Sequence, residues 1–404
     1  MRILLTANAS YSPPRGGATR SNLIWLNHLA RHGHACRVVC GASKPGAEFT
    51  NHQSVAVMPV DEPARRVHTL RRQIAEWQPD WVLVSSEDLG HGLLREAHRG
   101  APGRVVYLAH TPQFFPFGPA SWNPDPVAAG LVRESAGIVA IGRHMADYIE
   151  RAVGRVAAVI HPPIYGDGPF PLRGNFERGL VAMINPCAVK GISLFLETAR
   201  RLPGYAFGAL PGWGTTTDDR RALEGLANLE FLPYARDIDD VLARVRLLLA
   251  PSLWYEGFGL IVMEAMLRGI PVVASDSGGY CEAKQGTGYV IPVRTIERYL
   301  PAYDEHSMPR PVTPENDAAP WVAAVRELLT DGSAYQRESA ASRAAALRFV
   351  EHLDAGEMER FLSGLEPFAQ PGRLQAPGHA SIESLSPEKR ALLLERLRRR
   401  KAIH

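Results

Sequence analysis

Residues 251 to 279 read PSLWYEGFGLIVMEAMLRGIPVVASDSGG. The pattern predicts the end of a buried strand, a glycine-bearing loop, a helix opening near Gly259 and the next strand, PVVAS. A helix that opens there leaves the amides of Phe258, Gly259, Leu260 and Ile261 without intrahelical partners and sets the positive end of its dipole behind them. Such an end suits phosphate or sugar oxygens. Gly257 and Gly259 flank Phe258 and let backbone approach a ligand with no Cβ in the way. Glu256 in the loop and Glu264 on the helix are eight positions apart, and Glu264 stands about 7 Å along the axis from the helix start. A carboxylate gains nothing by facing a diphosphate, so hydroxyl partners are expected: a nucleotide ribose for Glu264 and the attached sugar for Glu256. Taken singly, Glu256 also fits as a charge at a helix N-terminus and Glu264 as a solvated helix residue.

Outward from this stretch the same alternation continues. From Met1 to about Ile160, short apolar runs (RILLTA, CRVVC, WVLVSS, RVVYLAH, GIVAIG, VAAVIH) are separated by amphipathic segments such as SNLIWLNHLARHGH. Continuous apolar runs between helical patterns predict a doubly wound parallel sheet. Residues 164–178, after Pro162 and Pro163, are rich in glycine and proline and read as a linker. The alternation then restarts with GLVAMIN and runs through YAFGALPG, LEFLPY and RLLLAPS to PVVAS. The expected fold class is α/β, with Rossmann-like domains at residues 1–163 and 179–345 facing a cleft at the carboxyl ends of their strands. Residues 291–320 read as irregular, residues 346–366 as helices packing back on the body, and residues 367–380 as a tether. Residues 381–404 read as a basic amphipathic helix capped by Ser386.

The 404 residues, 46% hydrophobic and 22% charged, suffice for two globular cores. Cys36, Cys40, Cys187 and Cys281 form no CxxC pair, so reduced thiols and a cytoplasmic location are expected, without a zinc or disulfide framework. The opening MRILLTANAS reads as a first strand rather than a signal peptide, and no apolar run is long enough to span a bilayer. Residues 381–404 hold seven Lys or Arg against three Glu, so this tail carries +4 of a net +3 and the remainder is about −1. That balance argues against nucleic acid as a partner.

The segment EGFGLIVMEAMLRGIPVVASDSGG resembles the donor site of the family-four retaining glycosyltransferases, in which two Glu separated by seven residues sit in an EGFG…EAMA.G.PVV…GG-like stretch. The resemblance covers about residues 1–365. It implies a GT-B fold, a nucleotide diphosphate sugar as co-substrate, retention at the anomeric carbon, and neither a catalytic metal nor a prosthetic group. Uridine diphosphate is the expected carrier, with guanosine and thymidine diphosphates as alternatives.

The resemblance also gives weight to four further places. In VAMINPCAVKGISLFL, Lys190 matches a family lysine that follows an arginine by five residues, both neutralising the donor diphosphate. The arginine position is Asn185, so one charge is missing, and Arg15 or Arg20 could supply it across the cleft. In SYSPPRGGATRSN, Gly16 and Gly17 precede a helix expected near Ser21, where the family's Gly-Gly closes over the donor phosphate. His110, ending RVVYLAH, matches a histidine that contacts the donor sugar near the reacting carbon. Tyr234, after LEFLPY, lies where the family places its base-contacting loop. Arg143 and His144, opening the helix after GIVAIG, are acceptor candidates, although the family often has serine where this chain has Gly142. The aromatic run TPQFFPFGPASW reads as an acceptor lid or a well-packed loop.

No pair of residues resembles a double-displacement nucleophile and its acid partner, so a front-face reaction is expected. In it the donor β-phosphate takes the acceptor proton while Lys190 and the helix amides stabilise the leaving charge, with His110 and Glu256 completing the catalytic set. The tail LSPEKRALLLERLRRRK resembles helical segments beside condensation domains and linkers of nonribosomal peptide synthetases. This implies docking on a peptide or polyketide assembly line and a specialised metabolite as acceptor, with a glycan or lipid as the other acceptor class. Peripheral contact with anionic lipid, or simple solvation, also fits the tail. A nucleotide-sugar 2-epimerase of the same fold and a non-catalytic nucleotide-binding scaffold are the other function classes.

Overall fold

The computed structural model describes residues 1–367 apart from Arg15 and Arg236. The tail helix expected at 381–404, the tether from residue 368 onward and the side chain of Arg15 lie outside the described residues.

The first half of the chain builds an eight-stranded sheet. Its strands are β1 (Arg2–Thr6), β2 (Ala35–Gly41), β3 (Thr50–His52), β4 (Val55–Val60), β5 (Trp81–Ser85), β6 (Val105–Ala109), β7 (Gly137–Ala140) and β8 (Ala158–Val159). Helices α1 (Gly17–Arg31), α2 (Pro63–Trp77), α3 (Gly92–Gly100), α4 (Pro126–Arg133) and α5 (Arg143–Val153) connect them. The strand order is β3-β4-β2-β1-β5-β6-β7-β8, parallel except for β3 at the edge. Register is set at the centre, where Leu5 of β1 lies opposite Val38 on one side and Leu83 on the other. All five residues of β5 are buried, as a central strand covered by helices on both faces requires.

The second sheet has the order β11-β10-β9-β12-β13-β14, all parallel. These strands are β9 (Leu180–Ile184), β10 (Phe207–Leu210), β11 (Leu229–Phe231), β12 (Val245–Ala250), β13 (Val272–Ser275) and β14 (Val290–Ile291). Around them lie α6 (Ile192–Arg201), α7 (Thr217–Glu224), α8 (Ile238–Leu242), α9 (Leu260–Leu267) and α10 (Tyr280–Ala283). The stretch read as irregular contains a correction: β15 (Tyr299–Tyr303) and β16 (Pro309–Pro311) pair as an antiparallel hairpin. Helices α11 (Ala319–Thr330), α12 (Gly332–Glu351) and α13 (Glu357–Gly364) follow. The domain edge placed at residue 345 falls inside α12, whose N-terminus is capped by Asp331 accepting from Ser333 and Ala334. Helix α13 returns to the first lobe, burying Met358 and Leu362 and setting Phe361 against Gly137.

A second correction concerns α1, which opens at Gly17 rather than near Ser21. The Thr19 hydroxyl folds back to take the Gly16 N–H at 3.1 Å and returns a bond to the Gly16 carbonyl at 3.0 Å, closing the first turn earlier than Ser21 could. One apolar cluster runs from the inner face of the first sheet through Phe258 to Val262 and Met266 of α9. Two others fill the outer faces of the lobes. Among the described residues no helix is long and apolar enough to cross a membrane.

Candidate functional site

In a doubly wound sheet, ligands bind beyond the carboxyl ends of the strands where the strand order reverses. In the first sheet that point lies between β1 and β5, and in the second between β9 and β12. Strand β1 leads to Gly16 and Gly17, β9 to Asn185 and Lys190, and β12 to Glu256 and the following glycines. Three of the four sequence-identified segments therefore leave strands that flank a reversal, and His110 follows the neighbouring β6.

The lobes meet closely here. A Cβ on Gly17 would stand 2.8 Å from Cδ1 of Leu260, the first residue of α9. The first turns of α1 and α9 thus lie against one another, joined also by Arg20 and Glu264. A Cβ on Gly257 would lie 2.3 Å from the His110 carbonyl oxygen, so no larger residue fits against the first lobe at this position. Gly259 has φ +115, a left-handed conformation that aims the chain into α9.

Two ion pairs span the site. Lys190, at the end of the short 3-10 turn Ala188–Lys190, places Nζ 2.6 Å from Oε1 of Glu256 and 4.4 Å over the Trp254 ring. Arg20 reaches across from α1 and donates from Nη1 to Oε1 of Glu264 at 2.7 Å and from Nη2 to the Ile164 carbonyl at 3.0 Å. The carboxylates expected to take hydroxyls thus hold cations in this structure. A phosphate can compete for both cations, which would free both carboxylates for sugar and ribose hydroxyls. Burial, and then the Glu256 carboxylate to which it bonds, hold the Tyr280 hydroxyl well above the usual tyrosine range. Tyr165 is raised likewise by burial and by Glu264. Neither tyrosine is marked by any local pattern.

Asn185 does not stand in for an arginine charge. Its backbone is left-handed (φ +56), a conformation that asparagine tolerates, and its Oδ1 accepts the Gly214 N–H at 2.9 Å, pinning the loop after β10. His110 is buried, with Nε2 2.9 Å from Oδ1 of Asn22 and the ring stacked on Trp25 at 5.9 Å. Burial pushes its imidazole down to about 3, so it is neutral near neutrality. Tyr234 is 86% exposed.

Arg143 and His144 open α5, and the Arg143 side chain is 75% exposed. Their backbone N–H groups, at the start of α5, both donate to the Glu282 carboxylate at 3.0 Å. Glu282 comes from the second lobe, and the His144 ring is stacked on Tyr255 at 4.7 Å. Gly142 leaves room for this, since a Cβ there would meet Oε2 of Glu282 at 2.9 Å. The aromatic loop divides its work: Phe115 and Phe117 are buried in the first lobe, while Trp122 lies 6.2 Å from Trp254 and 5.5 Å from Tyr299 of the hairpin.

A cavity of about 280 Å³ opens beside the Lys190 turn, between Cys187, Val189, the start of α7 and the hairpin. Trp213, Leu300 and Met308 supply its apolar wall. The hairpin is held there by Glu305, which takes the Thr217 N–H at 2.7 Å. Sequence reasoning also missed Glu87, after β5, whose carboxyl burial pushes up to about 7 against the opposing hydrogen bond of Thr111. Among the described residues the cleft assembles no three metal-ligating side chains.

The two halves of the chain match two family models. Residues 15–165 match the model described as Glycosyltransferase Family 4, and residues 178–331 the one described as Glycosyl transferases group 1. The chain is 26% identical over 344 residues to a GDP-mannose-dependent alpha-mannosyltransferase of Mycobacterium tuberculosis, covering 74% of this chain and 86% of that protein. It is 34% identical over 129 residues to the lipopolysaccharide core biosynthesis mannosyltransferase LpsB of Rhizobium meliloti, but spans only 36% of that protein's length and 28% of its own. Among solved structures, sucrose-phosphate synthase of Thermosynechococcus elongatus superposes with a TM-score of 0.67 at 13% identity, over 90% of this chain and 98% of the other. HepE of Anabaena, in complex with UDP and glucose, superposes with a TM-score of 0.66 at 17% identity, over 90% of this chain and all of the other. These structural neighbours share the GT-B architecture.

Proposed function

We propose, from the premise that the chain is a glycosyltransferase of the family-four type on a GT-B fold, that it moves a sugar from a nucleotide diphosphate sugar to a hydroxyl acceptor with retention at the anomeric carbon. The observation that carries this reading is the contact of the first turns of α1 and α9 at Gly17 and Leu260, with Arg20 paired to Glu264 of α9 and Lys190 paired to Glu256 of the loop that leads into it. Two positive helix ends and two cations suit a diphosphate.

In this reading the Gly16 and Gly17 turn and the amides of Phe258, Gly259, Leu260 and Ile261 surround the phosphates. Lys190 moves from Glu256 to the leaving diphosphate, and the freed Glu256 accepts from a hydroxyl of the transferred sugar. Glu264 accepts from the ribose, and the backbone around Tyr234 borders the base. The acceptor oxygen attacks the anomeric carbon on the face from which the diphosphate departs. The new carbon–oxygen bond forms as the bond to phosphate breaks, and the acceptor proton passes to a β-phosphate oxygen. Lys190 and the amides supply the neutralisation that a divalent metal would otherwise provide. His110, neutral and buried, shapes the floor and moves no proton.

A match over 344 residues is to a protein named for GDP-mannose, so GDP-mannose joins UDP-sugars as the first donors to try. The acceptor proposed is a specialised metabolite of peptide or polyketide type, or a glycan or lipid, with residues 381–404 as a docking segment. Deleting those residues should leave transfer to a free acceptor unchanged. The functional test is nucleoside diphosphate release from GDP-mannose, UDP-glucose and dTDP-glucose, with and without acceptor, followed by proton NMR of the product's anomeric configuration. Sugar isomerisation without acceptor would identify an epimerase, and no turnover with any donor would identify a scaffold.

A further inference from the structure

Far along α1 from the cleft, its C-terminal end and the following turn carry HLARHGH, with His28 and His32 one helical turn apart and His34 two residues on. Helix α13 lays Glu359 over them. His32 Nδ1 lies 2.7 Å from Oε2 of Glu359, and His28 Nε2 lies 4.0 Å from the same oxygen. The His28 and His32 ring centroids are 4.0 Å apart. One donor atom from each of His28, His32 and Glu359 falls within 4.8 Å of the others. His28 Nε2 is buried and has no hydrogen-bond partner. This unpaired nitrogen faces the Glu359 carboxylate across 4.0 Å, a gap that a shared ligand would bridge.

We propose that His28, His32 and Glu359 bind one divalent transition-metal ion of the zinc type, outside the catalytic cleft, fastening α13 to α1. Two histidines at i and i+4 present their nitrogens on one helix face, the arrangement by which helices chelate zinc. Bonds of about 2.0 to 2.2 Å in a tetrahedron set donor atoms roughly 3.3 Å apart. The observed 2.7 and 4.0 Å separations bracket that spacing, so small rotations of partly exposed side chains complete it. Imidazole and carboxylate together select zinc, nickel or copper over magnesium and calcium. His34 Nε2 lies 2.9 Å from Oε1 of Glu359, the oxygen left over, and acts as a positioning residue that orients the ligating carboxylate. With three protein ligands the fourth position falls to water, as in open zinc sites. The ion would join segments more than 300 positions apart in sequence, and binding only the folded chain it would stabilise the fold.

The test is zinc binding by the full chain, stripped with a chelator and dialysed, then titrated against a chromogenic competitor. One tight equivalent is expected, together with a higher Tm on adding zinc. His28→Gln, His32→Gln and Glu359→Gln should each remove that equivalent and the Tm gain, whereas His34→Gln should weaken binding about 10- to 100-fold. His306→Gln, at the hairpin, should change neither. Retention of the tight equivalent in Glu359→Gln, or its absence in the wild-type chain, would overturn the assignment. Both readouts are independent of sugar transfer, so failure here leaves the proposed function untouched.

Discussion

Arg20 of α1 donates to Glu264 of α9 at 2.7 Å, joining the two lobes across 244 positions of sequence. The guanidinium is 40% exposed, and a pair so open to water contributes on the order of 1 kcal/mol or less to stability. In the proposed donor site its value lies instead in the positive charge it would bring where Asn185 brings none. Arg20→Gln is therefore expected to leave Tm nearly unchanged yet slow turnover by roughly 10²-fold, the usual cost of one electrostatic donor. Initial rates and thermal unfolding measured together check this. Wild-type rates would remove Arg20 from the donor site.

Gly257 and Gly16 should respond oppositely to the same methyl group. At Gly257 a Cβ collides with the His110 carbonyl, while at Gly16 it meets nothing within 4 Å. Gly257→Ala is expected to destabilise by about 1–3 kcal/mol through overpacking and to abolish most transfer by holding the lobes apart. Gly16→Ala should stay within about 0.5 kcal/mol of wild type but raise the donor KM, because the methyl intrudes where the phosphate approaches. Denaturant titrations and steady-state kinetics distinguish the two variants.

Two shifted groups of the first lobe, His110 and Glu87, act in opposite directions with pH. His110 is held down to about 3 when folded, against about 6.5 unfolded. Its contribution to stability is whole above the unfolded value and is lost as pH falls toward 3, at up to about 1.4 kcal/mol per pH unit. Glu87 is raised to about 7, so the folded chain holds that proton longer and stability falls as pH rises from the unfolded value through 7. His110→Gln should flatten the acid side of a Tm-against-pH curve. Glu87→Gln should raise Tm above pH 7 and leave it unchanged near the unfolded carboxyl value. Neither response in unfolding scans would refute the two shifts, and a kcat limb abolished in His110→Gln would refute its neutral role.

Lys190→Ala removes the ammonium and leaves Glu256 largely buried without its cation. Turnover at saturating donor should fall by about 10²- to 10³-fold. Lys190→Arg should recover part of it, a rescue that a merely packed side chain would not show. A Lys190→Ala rate within threefold of wild type would remove Lys190 from the chemistry.

What was legible before the structure follows from what local sequence can encode. Buried parallel strands appear as unbroken apolar runs, whereas Gly257, read as room for a ligand, lies against the His110 carbonyl, a contact that no local pattern marks. The opening of α9 at Leu260 was visible because Gly259 marks its entry. The β15–β16 hairpin was hidden because Pro309 and Pro311 read as breakers, although strands at an edge admit proline. The occupied N-terminus of α5 was hidden because its partner, Glu282, lies 139 positions away. The early start of α1 depended on Thr19 acting backwards on Gly16, a bond that a forward search for caps misses. Asn185 looked like a lost charge, whereas its left-handed backbone and its bond to Gly214 give it a structural task.

The most direct measurement is a crystal structure of the chain with a bound nucleoside diphosphate. The β-phosphorus should sit between the starts of α1 and α9, with the Lys190 ammonium turned from Glu256 onto a phosphate oxygen and the ribose on Glu264. A diphosphate bound away from Gly17 and Leu260, with the Lys190–Glu256 pair intact, would contradict the account.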